Sequence, residues 1–309
     1  MNREELQQLI KGPIATLPTA MDDEYYVDLG RMAELSQWWV ESGLVAGVSP
    51  LKVAAAMGEG PDLGDDEWPH LLRTVVNAAG DEAAVICGLK TKDTLHTIED
   101  AKRAQDLGAI GLQIDLPIFH HPTQDDYVRF FTDISDAIEI GIMIYNTHWF
   151  GAESITADTM LRLKDAEHVV AVKWSVSEGQ DYDDMREFSS IFNVIDNSGQ
   201  AVRCHQNGGR GFIDSTTALH PPHALKLWEL LEANHYDEAQ ALDSSVRGPL
   251  REFMGRMAQE SGGYRVNKGL MEVLGRPVGP PRPPTLPLSD EQLDELADLA
   301  RGFGWPVAD

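Results

Sequence analysis

Residues 141–175 read GIMIYNTHWFGAESITADTMLRLKDAEHVVAVKWS. One short apolar run covers 141–146 and carries a phenol, Tyr145, near its end; a second covers 169–175 and carries an amine, Lys173. Both runs are rich in Ile, Val, Met and Ala without polar alternation, as parallel strands covered on both faces are. Between them, residues 157–166 have the apolar spacing of a short helix, so the stretch predicts a β-α-β unit. The same unit recurs outward. Further strand-like runs lie at 13–19, 44–49, 83–89, 111–117, 192–196 and 211–215, and helix-like stretches at 28–42, 66–79, 95–107, 125–138 and 181–188. Asp or Thr stands near several helix starts and Gly after several ends. Only 200–207, after the seventh run, is weakly helical.

Eight such units in series predict an α/β fold, a closed (β/α)8 TIM barrel. A doubly wound sheet would need a glycine-rich phosphate turn after its first strand, and Thr19-Ala20-Met21-Asp22 is not one. Helices are predicted again at 224–232, 236–261, 267–274 and 290–301, with a proline-rich connector at 277–287. The expected organisation is a barrel domain over 1–235 and a C-terminal helical extension over 236–309.

Charge narrows the function. The 309 residues include 50 acidic and 25 basic side chains, a formal net charge of −25. With no basic run longer than two residues, neither nucleic acid nor an anionic membrane surface is an expected partner. The sequence offers no apolar stretch of signal-peptide or membrane-spanning length, and its two cysteines, Cys87 and Cys204, form no disulfide framework. These features predict a cytoplasmic protein. His120 and His121 are adjacent and point apart, and His220 and His223 lack helical i, i+4 spacing, so no metal site is expected.

Active sites of such barrels lie at the C-terminal ends of the strands, which ranks Lys173 and Tyr145 first. Burial lowers a lysine's pKa and leaves part of the amine neutral and nucleophilic, as imine formation with a ketone requires. Neighbouring strands are about 4.8 Å apart, within reach of a proton-shuttling phenol. The alternative is a lysine that snorkels out of the barrel mouth or pairs with an acid.

The segments Tyr145-Asn146 and Val172-Lys173-Trp174-Ser175, the turn Gly58-Glu59-Gly60-Pro61-Asp62-Leu63 followed by Asp66-Glu67, and Gly208-Gly209-Arg210-Gly211-Phe212-Ile213 resemble the dihydrodipicolinate synthase and N-acetylneuraminate lyase superfamily. The likeness extends to Pro117, Gln124 and Arg282–Pro284. It implies a barrel with C-terminal helices, a homo-oligomer (dimer or tetramer), and Schiff-base chemistry on a small 2-oxo acid without metal or organic cofactor. Lys173 is implied as nucleophile and Tyr145 as proton shuttle, and Thr19, at the family's first-strand threonine, and Ile213 fall at substrate-side positions. A strand-end threonine is as readily a local cap. The glycines of 207–211 would cradle a phosphate or, as the resemblance implies, form a tight helix-to-strand turn.

Departures from the family pattern matter equally. Where many relatives place two hydroxyl residues that bind the substrate carboxylate, this chain has Ala56 and Met57, which offer no side-chain donor to an anion. The loop expected at 50–55 is longer than usual and contains Lys52; Lys52 or Ser49 is a candidate for the lost carboxylate contact, the alternative being a solvated loop lysine. Phe119 stands where the synthases carry a second relay tyrosine, and Thr147-His148-Trp149-Phe150-Gly151 where they carry an arginine, which argues against lysine-pathway synthase activity. The loop after the seventh strand, Asp196-Asn197-Ser198-Gly199-Gln200, lacks the acidic pair of sialic acid lyases. Phe119, His148, Trp149, Phe150 and Trp174 are instead expected to ring the mouth, suited to an apolar or aromatic substrate tail or else simply packing the barrel top. His148 is also a candidate acid or base near neutral pH. Two functions remain in view: a Schiff-base aldolase, dehydratase or hydratase-aldolase, and a barrel that has lost turnover and binds a ligand or partner.

Overall fold

The computed structural model describes residues 1–90, 92–117, 121–150 and 153–308. Eight parallel strands close into a barrel in sequence order: β1 (Gly12–Thr16), β2 (Leu51–Val53), β3 (Val85–Leu89), β4 (Gly111–Asp115), β5 (Gly141–Tyr145), β6 (Val169–Trp174), β7 (Asn193–Asp196) and β8 (Gly211–Ile213), with β8 pairing back onto β1. Gly211 permits that closure, because a Cβ there would lie 2.2 Å from the Gly12 carbonyl oxygen.

Helix α1 (Arg3–Leu9) precedes the barrel and plugs its lower end. Its Leu6, together with Ile10, packs into a layer made by Ile14, Ile86, Met143 and Ile195 from alternate strands. Asn193 donates to the carbonyls of Gln7 and Ile10 at 2.8 and 2.9 Å, satisfying groups that the end of α1 leaves open. Outside the strands lie α2 (Leu29–Glu41), α3 (Glu67–Ala79), α4 (Thr94–Asp106), α5 (Gln124–Ser135), α6 (Ala157–Arg162), a 3₁₀ segment (Tyr182–Glu187) and α7 (Ala201–Gln206). Asp28, Asp93, Thr123 and Thr156 cap the starts of α2, α4, α5 and α6 with their side-chain oxygens. After β8 come α8 (Thr216–Leu219), which the sequence pattern did not suggest, and α9 (Pro221–Glu232). The C-terminal helices are α10 (Tyr236–Glu260), α11 (Arg265–Val273) and α12 (Asp290–Gly302).

One strand stands elsewhere than expected. The apolar run 44–49 is a turn: Gly43 and Gly47 have φ of 95° and 79°, and the Val48 and Ser49 amides both bond to the Val45 carbonyl. β2 is the following segment, Leu51–Val53, paired with Ala15 and Thr16 on one side and with residues 85–87 on the other. Lys52 is therefore a strand residue and not a loop residue. The 207–211 glycines form the turn between α7 and β8, with φ of 89° at Gly208, so the helix-to-strand reading describes them. Among the described residues no helix is long and apolar enough to cross a membrane.

Candidate active site

The strand register builds the site. Asp115 on β4 pairs with Tyr145 on β5, and Tyr145 pairs with Lys173 on β6. Three neighbouring strands thus present a carboxylate, a phenol and an amine in one row at the C-terminal end of the barrel, where side chains in register point to the same face. The Lys173 Nζ lies 3.5 Å from the centroid of the Tyr145 ring. Lys173 is 7 % exposed and Tyr145 8 %. Burial lowers the Lys173 pKa to about 7, with Asp115 opposing the fall, so a large part of the amine is neutral near pH 7. Burial, and then the Asp115 charge, push the Tyr145 phenol above its usual range, while a hydrogen bond with Asn197 pulls the other way. At neutral pH this phenol holds its proton.

The other expected residues divide. Thr19 is buried, and its hydroxyl donates to the Gly58 carbonyl at 2.6 Å, while its carbonyl accepts from Lys268 Nζ at 2.9 Å. It holds the turn after β2, as a local cap does. Ala56 and Met57 open the 3₁₀ turn Ala56–Gly58 at the mouth, Ala56 exposed and Met57 half-buried. Met57 and Ile213 line one cleft of about 500 Å³ that runs toward α10, where Leu250, Met254 and Ala258 extend its apolar wall and Arg247 stands in its lining. Arg247 carries no open charge there, being paired with Asp243 at 2.7 Å and Asp214 at 3.3 Å.

Trp149 packs edge-on against Tyr145 at 5.4 Å between ring centroids and against His148 at 4.8 Å, so both join the site's rim. Burial lowers the His148 pKa, keeping the imidazole neutral at pH 7. Phe119 lies outside the described residues. Trp174 is not at the mouth: its indole packs on Phe188 and donates to the Tyr182 carbonyl at 3.0 Å, in the layer between strands and helices. The reason is strand parity, since the residue after the inward Lys173 points outward.

Lys52 is the largest departure. It is wholly buried inside the barrel and donates to Gln113 Oε1 at 2.9 Å. Burial carries its pKa well below the ordinary lysine range; Lys173 pushes the same way and Asp115 opposes. Ser49 is buried too, and its hydroxyl bonds to the Pro13 carbonyl. Neither stands in a loop over the mouth. Sequence reasoning missed Asp115 and Gln113, although a carboxylate and an amide inside the otherwise apolar run Gly111–Asp115 were a readable signal. Among the described residues no group of three or more His, Cys, Asp or Glu side chains is placed to hold a metal ion. Cys87 and Cys204 are buried free thiols.

The structure is thus a closed eight-strand barrel with a buried lysine and a tyrosine at adjacent strand ends. Residues 9–302 match the Dihydrodipicolinate synthetase family, and the chain belongs to that family, which is one of lyases of the class I aldolase type. Similar proteins include the 4-hydroxy-tetrahydrodipicolinate synthase of Acidothermus cellulolyticus, 29 % identical over 279 residues, covering 90 % of this chain and 88 % of the relative. That of Heliobacterium modesticaldum is 29 % identical over 293 residues, covering 94 % and 95 %. Among solved structures, dihydrodipicolinate synthase from Aquifex aeolicus superposes with a TM-score of 0.84 at 20 % identity, covering 97 % of this chain and all (100 %) of that one. The chloride-inhibited enzyme from Acinetobacter baumannii, solved with pyruvate, gives a TM-score of 0.82 at 22 % identity, covering 96 % and 99 %.

Proposed function

We propose that this chain is a Schiff-base lyase acting on a 2-oxo acid, with Lys173 as nucleophile and Tyr145 as proton donor. The observation that carries the reading is the Lys173 amine seated 3.5 Å from the Tyr145 ring, at the strand ends, with its pKa brought to about 7. A neutral amine there adds to the keto carbon; the phenol supplies the proton with which the carbinolamine oxygen leaves as water. The resulting iminium draws electrons from the adjacent bond, which permits cleavage, addition or elimination.

The substrate class follows from the walls. With Ala56 and Met57 in place of hydroxyl side chains and Lys52 drawn beneath the site, the turn Ala56–Gly58 meets the acid's head with backbone groups. The apolar wall of Met57, Ile213, Leu250 and Met254 in one cleft, and the Trp149 and His148 rings packed beside Tyr145, favour an apolar or aromatic tail over a polyhydroxylated one. The absence of an arginine at 147–151 argues against the second substrate of the lysine-pathway synthases, despite the names of the relatives.

The test is borohydride trapping with pyruvate and a panel of 2-oxo acids, read by intact mass on wild type and Lys173→Ala. A mass increase confined to the wild type is the expected result. No adduct with any acid of the panel would overturn the reading and leave a barrel that binds without this chemistry.

A further inference from the structure

The opposite end of the barrel holds a second cleft, which the Schiff-base reading does not use. Gly12 opens β1 and Gly211 opens β8; the two pair in register, and the Gly12 amide donates to the Arg210 carbonyl at 2.8 Å. The residues just before them, Lys11 and Arg210, are thereby brought to the same level of the seam where the barrel closes. Both line a cleft of about 450 Å³ at the N-terminal ends of the strands. Lys11 is half-buried and donates one bond, to Gln8 Oε1 at 2.7 Å, so two of its three ammonium donors remain. The Arg210 guanidinium is exposed and has no hydrogen-bond or ion-pair partner among the described residues. Arg186 and Arg203, close by in sequence, both stand on the Asp183 carboxylate instead.

None of the residues lining this cleft is acidic, in a chain with 50 acidic and 25 basic side chains. Its remaining walls are polar and firmly held. Gln7 donates to the Val170 and Ile191 carbonyls at 3.3 and 2.8 Å, and Asn193 to those of Gln7 and Ile10, which ties α1 to the cleft's floor. Ser189 and Ser190 add hydroxyls. The amides of Gly208, Gly209 and Arg210 are all bonded to carbonyls, so an anion here would be met by side chains and not by the backbone of the turn.

We propose that this cleft binds the phosphate group of a small metabolite, with Lys11 and Arg210 as its cationic contacts. Two neighbouring cations with no acid between them repel, and a dianion placed between them replaces that repulsion by two attractions. The guanidinium fork matches two oxygens of a phosphate, and an ammonium and a serine hydroxyl suit the others. The volume exceeds that of phosphate alone and leaves room for a sugar-sized body. The site lies at the other end of the strands from Lys173 and is independent of imine formation.

Inorganic phosphate is the probe. Thermal melting is followed slightly above neutral pH in rising phosphate, against sodium chloride of equal ionic strength and against succinate, for wild type, Arg210→Gln, Lys11→Gln, Lys173→Ala and Arg73→Gln, the last an exposed arginine of α3. Wild type is expected to gain about 2 °C or more over chloride as the site fills. Arg73→Gln and Lys173→Ala should gain as much, while Arg210→Gln and Lys11→Gln lose most of the gain. No gain over chloride in the wild type, or a full gain in Arg210→Gln, overturns the site. Loss of the gain in Lys173→Ala would place the phosphate at the barrel mouth and overturn it equally, and a larger gain from succinate than from phosphate overturns the choice of ligand.

Discussion

Lys268 on α11 and Glu59 in the turn after β2 form a buried ion pair, Nζ to Oε2 at 2.8 Å, with side chains 4 % and 1 % exposed. Lys268 also donates to the carbonyls of Thr19 and Pro280, and the Arg282 amide donates to Glu59 Oε1 at 3.0 Å. Thr19 in turn holds Gly58. The C-terminal helices and the proline-rich connector thereby fix the turn on which Ala56 and Met57 stand. Burial raises the Glu59 pKa and lowers that of Lys268, each opposed by the other's charge, so desolvation outweighs attraction on both sides.

Lys268→Met is accordingly expected to cost about 3–5 kcal/mol of stability, because it strands a carboxylate in the interior. Urea unfolding checks the value. Glu59→Gln combined with Lys268→Met should lose less than Lys268→Met alone; equal losses would mean that the pair does not act as a unit.

Two glycines of the same turn are required by space. A Cβ at Gly60 would lie 1.8 Å from the Ala54 carbonyl oxygen, and one at Gly58 2.2 Å from that of Leu17. Both contacts are with backbone, which has little freedom to yield. Gly60→Ala is expected to destabilise the fold by about 1–3 kcal/mol or more, whereas Gly248→Ala, inside α10 with nothing within 4 Å, is expected to stabilise it by about 0.5–1 kcal/mol. Thermal melting of the two variants separates these outcomes.

The nucleophile sets a pH dependence. An ordinary lysine is half neutral near pH 10.4. Lys173, held at about 7, reaches that point three units lower, and the neutral form is the one that attacks. The rate of adduct formation with pyruvate should rise with pH through about 7 and level above it. Tyr145→Phe should slow adduct formation by about 100-fold without moving that midpoint far. A midpoint near 10 would show that the barrel does not depress the amine.

Most of the fold was legible because parallel strands buried on both faces are written as uninterrupted apolar runs, and seven of the expected runs contain or overlap the observed strands. The exception is instructive. In 44–55 the more apolar half, LVAGV, is a turn bent by Gly43 and Gly47, and the strand is Leu51–Val53, which carries a lysine inward. A buried polar side chain in so short a strand defeats a reading by hydrophobicity, whereas the longer run at 111–117 was legible as a strand although it carries Gln113 and Asp115. Lys173 and Tyr145 were legible because they end their runs, where a barrel places its chemistry. Trp174 was misassigned to the mouth by ignoring the two-residue alternation of a strand. The partners of the Thr19 carbonyl and of the Glu59 carboxylate come from residues more than 200 positions away, in α11 and the connector, and no local pattern announces them.

The buried Lys52 also sets a dependence of stability on pH. Its folded pKa lies well below 10.5, so between that depressed value and 10.5 the unfolded chain binds more protons at this residue than the folded one. Stability contributed at this site therefore rises as pH rises through that window and falls as pH drops through it. Lys52→Met removes the titration and leaves Gln113 Oε1 without its donor, a loss that does not vary with pH. The variant's deficit relative to wild type should thus widen from pH 7 to pH 9.5, by at most about 1.4 kcal/mol per pH unit. Measuring the difference cancels the general repulsion of an acidic chain at high pH. A deficit constant across that range would mean that Lys52 titrates near its ordinary value and that the barrel accommodates its charge.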